Sequence, residues 1–269
     1  MTEELGRRLF LALPAGLAGM TMSEKADALE HAMSKDLDRQ FGLPWGCDVA
    51  GNGERIRQNA SDDFGRSRDT RLYLMHNEPR LPQMPTAPTL IDFFRLRFAP
   101  ASHLLQSANL ALKNGLSETV VLACLLHDIS LTSLIRTDHG YWGAQLVEPY
   151  VVPEVSWAIR AHQALKFFPD ASVGYEYPKS YIQMFGADYK PESYVVTAHE
   201  QARKHKWYMT ARLITLNDLY AFDPKAEVHL EQFTDIIGRN FKQPKEGLGF
   251  DGSPSAHMWR SIIWPNNYL

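Results

Sequence analysis

Cysteine is scarce in this 269-residue chain, which has only Cys47 and Cys124. Two thiols at that spacing exclude a disulfide framework and a thiolate metal cluster, and they point to a reducing compartment. Basic excess is also lacking: 28 Lys and Arg stand against 31 Asp and Glu, a net charge of −3. Nothing therefore drives sequence-independent binding to a phosphate backbone, and nucleic acid is excluded as the main partner. No apolar run reaches 18 residues, so no membrane span is expected. Internal repeats, Gly-rich phosphate loops and serine or cysteine nucleophile signatures are missing as well. What is left is ordinary globular composition, 45% hydrophobic and 22% charged, in a chain long enough to bury a large core.

These absences make the cytoplasm the expected location. Arg7-Arg8 ahead of the apolar stretch Leu9 to Gly19 leaves twin-arginine export as an alternative. Residues 1–88 read as an N-terminal helix and an irregular extension, with Pro79, Pro82, Pro85 and Pro88 closing a stretch rich in Gly, Asn, Asp and Arg. Residues 89–225 read as a helical core. One helix opens at Pro100-Ala101-Ser102 and closes at Asn114-Gly115, and Ser117 caps the next. Pro153 starts another that runs to about Phe168, and a long one is expected over 192–222. Residues 226–269 read as a further helix near 228–240 and an aromatic tail that wraps the surface. The expected class is all-α, a helical bundle with an irregular N-terminal extension.

Chemistry enters where seven apolar residues, Val120 to Leu126, run straight into His127-Asp128. A buried carboxylate with no partner costs several kcal/mol, and a divalent cation offsets that cost most economically. A helix end emerging into solvent would explain an isolated pair, but this pair has company. His103 lies in the preceding helix beside Leu104 and Leu105. His162 shares a face with Val155, Ala158, Ile159 and Leu165, and Asp218 shares one with Trp207, Ala211, Ile214 and Phe222. His139 opens a short helix within reach. Each alone has a plain explanation, since a core histidine can be satisfied by a backbone carbonyl and an inward aspartate can cap a neighbour. Bundle packing, however, brings inward ligands from separate helices together. Imidazoles and carboxylates without thiolates suit iron, manganese or zinc, and two metals bridged by Asp128 would use all six groups. His199 and His205, flanking Arg203 and Lys204, read as solvated.

The order His103, His127-Asp128, Asp218 resembles the HD-domain superfamily of metal-dependent enzymes, and His139 and His162 resemble the extra ligands of its dinuclear branches. The segment His139-Gly140-Tyr141-Trp142-Gly143-Ala144-Gln145-Leu146, with Arg160-Ala161-His162-Gln163-Ala164-Leu165-Lys166 after it, is similar to the mixed-valence di-iron HD-domain oxygenases. These are the enzymes of the phosphonate-cleaving and myo-inositol oxygenase type. The resemblance covers roughly residues 90 to 225 and implies an HD-domain helical bundle. It implies one iron on His103, His127, Asp128 and Asp218, with Asp128 bridging to a second iron on His139 and His162, an Fe(II)/Fe(III) pair. O₂ and a small polar chelating substrate would meet at the second iron. Hydrogen abstraction would lead to hydroxylation or to C–X or C–C cleavage. Asp128 and Lys166 would be the catalytic residues, with the Lys166 ammonium binding an anionic substrate group; its alternative is a snorkelling, solvated lysine. Leu131 stands where the phosphonate-cleaving enzymes have a substrate-contacting histidine, and Phe93-Phe94 where they have a tyrosine.

Two rival readings remain. One is a metal-dependent HD-domain phosphohydrolase, or a small-molecule hydratase, with Mn, Zn or Ni in place of iron. The other is a metal-free binding module, which predicts lost ligands, whereas all six are present. Oligomeric state is left open.

Overall fold

The computed structural model describes residues 21–40, 89–96, 101–132 and 138–242. The Arg7-Arg8 segment, the Pro-rich connector and the aromatic tail lie outside the described residues. The described part is an all-α bundle, its nearest approach to a sheet a single bridge between Asp170 and Tyr175. No helix in it is long and apolar enough to cross a membrane.

Ten α-helices carry the fold among the described residues: α1 Met22–Gln40, α2 Leu90–Leu96, α3 Ala101–Lys113, α4 Glu118–Leu126, α5 His139–Val147, α6 Pro153–Leu165, α7 Lys179–Phe185, α8 Ser193–Arg203, α9 Tyr208–Leu219 and α10 Thr234–Asn240. Helix α3 ends as the sequence suggests, with Gly115 taking the left-handed conformation (φ +66°) that favours glycine. Ser117 then caps α4, its hydroxyl accepting from the Val120 N–H at 3.4 Å. Val120 to Leu126 are buried without exception, so α4 is the hub of the core. Helix α6 begins on Pro153, whose missing N–H costs nothing at that position. It packs against α4, α5, α8 and α9, and α9 completes its C-terminal end. The fully buried Arg212 donates to the carbonyls of Leu165 (2.9 Å) and Phe168 (3.0 Å) at that helix end.

The long helix expected over 192–222 is instead two helices, α8 and α9. His205 breaks it: its Nδ1 accepts from the Trp207 N–H at 3.2 Å while its ring stacks on Trp157 at 3.8 Å. Side-chain bonds to nearby backbone compete with helix continuation. The expectation that His199 and His205 are solvated is also corrected. Both are half-buried, and His199 stacks on Phe168 at 3.8 Å.

Helix α1 lies within the segment read as an extension, yet it docks firmly. Its stripe of Ala26, Leu29, Met33 and Leu37 is buried in a second apolar cluster with Phe167, Tyr181, Val195 and Phe222. Beside that stripe run Ser23, Asp27, Glu30 and Ser34, which are also buried. Buried carboxylates need partners, and theirs are at the site.

Candidate metal centre

All six side chains read from the sequence as candidate ligands converge. His103 Nε2 lies 2.9 Å from Asp218 Oδ1, and His127 Nε2 lies 3.5 Å from the same oxygen. Asp128 sits between two pairs of rings. Its Oδ2 is 3.7 Å from His103 Nε2, while its Oδ1 is 3.5 Å from His127 Nε2, 3.2 Å from His139 Nε2 and 3.9 Å from His162 Nε2. His139 Nε2 and His162 Nε2 are 3.2 Å apart. Every one of these side chains is buried.

The elements explain the convergence. His127 caps the C-terminus of α4, and His162 stands in the last turn of α6. In both, Nδ1 turns back to a carbonyl three residues earlier, Cys124 O at 2.7 Å and Ile159 O at 2.5 Å. His103, on α3, gives its Nδ1 to Ala221 O at 3.0 Å and stacks on Phe222 at 4.2 Å. His139 starts α5, and Gly140 lets that start press against α6. A Cβ at Gly140 would fall 2.8 Å from Ile159 O, so any larger residue would push His139 away from His162. Ser130 also holds this start, its hydroxyl donating to His139 O at 2.9 Å.

These partners fix the chemistry of the rings. A carbonyl oxygen only accepts, so Nδ1 of His103, His127 and His162 must carry the hydrogen, and each Nε2 then presents a lone pair inward. Those lone pairs face carboxylate oxygens and each other in a core without solvent. Among the described residues, His127 Nε2 and Asp128 Oδ1 have no hydrogen-bond partner. Cations reconcile such an arrangement. Outward Nδ1–H bonds to carbonyl or carboxylate are the usual support of metal-binding histidines, and ligand bonds of about 2.1 Å put neighbouring donors about 3 Å apart. The residues therefore fit one ion on His103, His127, Asp128 and Asp218, and a second on Asp128, His139 and His162. Within the described residues, His103-His127-Asp218, His127-Asp128-His162 and Asp27-Glu30-His139 are each clustered tightly enough to share an ion.

Without an ion, protons must do part of this work. Burial pulls the His127 pKa down, but Asp128 and Asp218 outweigh it and lift the group to about 9. His139 is raised in the same way against burial, by Asp128 and Asp27. His162 is held well below its ordinary value by burial and by Lys166. Burial alone would raise Asp218, but Lys166 and His127 hold it well below the carboxylate range.

A pH dependence follows. The raised pKa of His127 stabilises the ion-free chain below the ordinary value of 6.5, and that contribution is lost as pH rises through about 9. Ion binding needs the neutral ring, so it releases this proton and strengthens over the same range. The gap in thermal stability between zinc-loaded and ion-free protein should therefore widen from pH 6.5 to 9. A gap independent of pH would contradict the assignment of His127 as a ligand.

Two further acidic residues, which the sequence did not single out, complete the surroundings. Lys166 is neither solvated nor free. Its ammonium is buried between Asp218 Oδ2 (2.8 Å) and Glu30 Oε2 (2.5 Å), and Glu30 also accepts from the Tyr181 hydroxyl. Burial raises the Glu30 pKa against the pull of Lys166. Asp27 Oδ1 lies 3.2 Å from His139 Nδ1, outside the alignment of a full hydrogen bond. A cavity of about 260 Å³ adjoins this edge, with Lys166, Asp218, Glu30, Tyr177, Tyr181 and Phe222 in its wall. Asp218 is the one of the six side chains that lines it.

No protein-family model matches the chain, and no curated protein does so either.

Proposed function

We propose that this chain is a di-iron oxygenase of the HD-domain type, oxidising a C–H bond of a small polar chelating substrate with O₂. The observation that carries the reading is the pairing of two unequal ligand sets through Asp128. His103 and His127 stand around Asp218 Oδ1, with Asp128 Oδ2 beside His103, a set of up to four ligands. His139 Nε2 and His162 Nε2, 3.2 Å apart, stand 3.2 and 3.9 Å from Asp128 Oδ1, a set of two imidazoles and one carboxylate. The three-ligand set leaves coordination positions for substrate and O₂ and is the donor combination of non-haem iron oxygenases.

Bound iron would supply the redox chemistry. The chain's own residues orient and enclose it. Lys166 ties down Asp218 Oδ2, which leaves Oδ1 facing His103 and His127. The carbonyls of Cys124, Ile159 and Ala221 fix three tautomers. Of the six proposed ligands the cavity wall includes Asp218, and an anionic substrate group entering there would share the Lys166 ammonium with Glu30 and Asp218.

Oxygen consumption tests the reading. Iron-loaded protein should take up O₂ in proportion to substrate when screened against small hydroxylated acids and hydroxyphosphonates. Release of phosphate from phosphate esters without O₂ uptake would overturn it in favour of the hydrolase.

A further inference from the structure

We propose that Asp27 is a positioning residue for the second ion subsite, so that the N-terminal helix α1 sets the affinity of that subsite. The inference rests on the two-ion reading above. Three of the four histidines are oriented by backbone carbonyls close to the core, but His139 is not. Its Nδ1 faces a carboxylate oxygen of Asp27 at 3.2 Å, from a helix far away in the chain.

Asp27 is itself held in place. The Gln163 amide donates to both its oxygens, at 3.1 and 3.2 Å, and also approaches Ser23 Oγ at 3.4 Å. The other end of the same amide, Oε1, accepts from the Gly140 N–H at 3.2 Å. Gln163 directly follows His162, and Gly140 directly follows His139. One side chain thus ties Asp27 to the residues next to both rings of the second subsite. The docking of α1 through Ala26, Leu29, Met33 and Leu37 fixes the helix independently of any ion.

The consequence is selective. Removing the Asp27 charge frees His139 to turn and lowers its basicity, while His103, His127 and Asp218 keep their own supports. Outer partners of metal-bound histidines typically contribute about 10- to 100-fold in affinity. Zinc titration of ion-free, full-length protein, followed by calorimetry, provides the test. The wild type should bind two ions. Asp27→Asn should keep the first at wild-type affinity and weaken the second by about 10- to 100-fold. Ser34→Ala, on the same face of α1 and without a hydrogen-bond partner among the described residues, should keep both. Wild-type affinity for both ions in Asp27→Asn would overturn the proposal while leaving the two-ion reading intact. Equal loss in Ser34→Ala would overturn it too, by assigning the effect to helix packing. Fewer than two ions in the wild type would instead defeat the two-ion reading, and the role of Asp27 with it.

Discussion

Asp128→Ala should remove both ions from the chain, whereas Asp218→Ala should remove only one. Asp128 is the carboxylate that reaches both pairs of rings, with Oδ2 towards His103 and Oδ1 towards His139, His127 and His162. Asp218 Oδ1 reaches only His103 and His127, and its other oxygen is taken by Lys166. The folded chain should tolerate the loss of Asp128 without ions. The pull of Asp128 on His127 and His139 disappears with it, while Asp218 and Asp27 stay beside those rings and pair with either one that keeps its proton. Metal content per chain after dialysis, with helicity followed in parallel, checks the contrast. One tightly held ion in Asp128→Ala would contradict the bridging role.

Lys166→Met should destabilise the ion-free protein by about 3–5 kcal/mol, the usual effect of removing one partner from a buried charge pair. The side chain that replaces it fills similar space, so the loss is electrostatic rather than a cavity. Asp218 would keep His103 and His127, but Glu30 would keep only the Tyr181 hydroxyl. Glu30 already has a raised pKa from burial, so it would protonate. Adding Glu30→Gln to Lys166→Met should therefore change stability by less than Glu30→Gln does alone, because the two residues share one interaction. Denaturant unfolding of the three variants measures the coupling. Additive effects would show that the ion pair is not what holds this edge of the site.

The difference between what could and could not be read from the sequence is physical. His127-Asp128 stood out because an apolar run with no solvated face must deliver whatever follows it into the core. His162 and Asp218 stood out because helical periodicity put them on apolar faces. Asp27 and Glu30 carried no such signal. Acidic residues on a helix with no ligand motif around them in sequence point to no ligand role, and only the placement of His139 and Lys166 opposite them reveals their use. A trace existed in the buried stripe Ser23, Asp27, Glu30 and Ser34, which follows the same 3.6-residue period as the apolar stripe beside it. Lys166 is the mirror case. Spacing from His162 placed it on the ligand side, but spacing could not show that two carboxylates already hold its ammonium. The break between α8 and α9 leaves no mark in the helical periodicity because it depends on one histidine choosing local backbone and a tryptophan face over solvent.

The central claim is that six buried side chains hold two ions bridged by Asp128, with iron as the working metal. The measurement that tests it most directly is metal identity and stoichiometry per chain, on protein purified without added metal or chelator. The account predicts about two irons per chain, since the ligands form one four-donor and one three-donor set. A single zinc, manganese or nickel ion, or no metal at all, would contradict it.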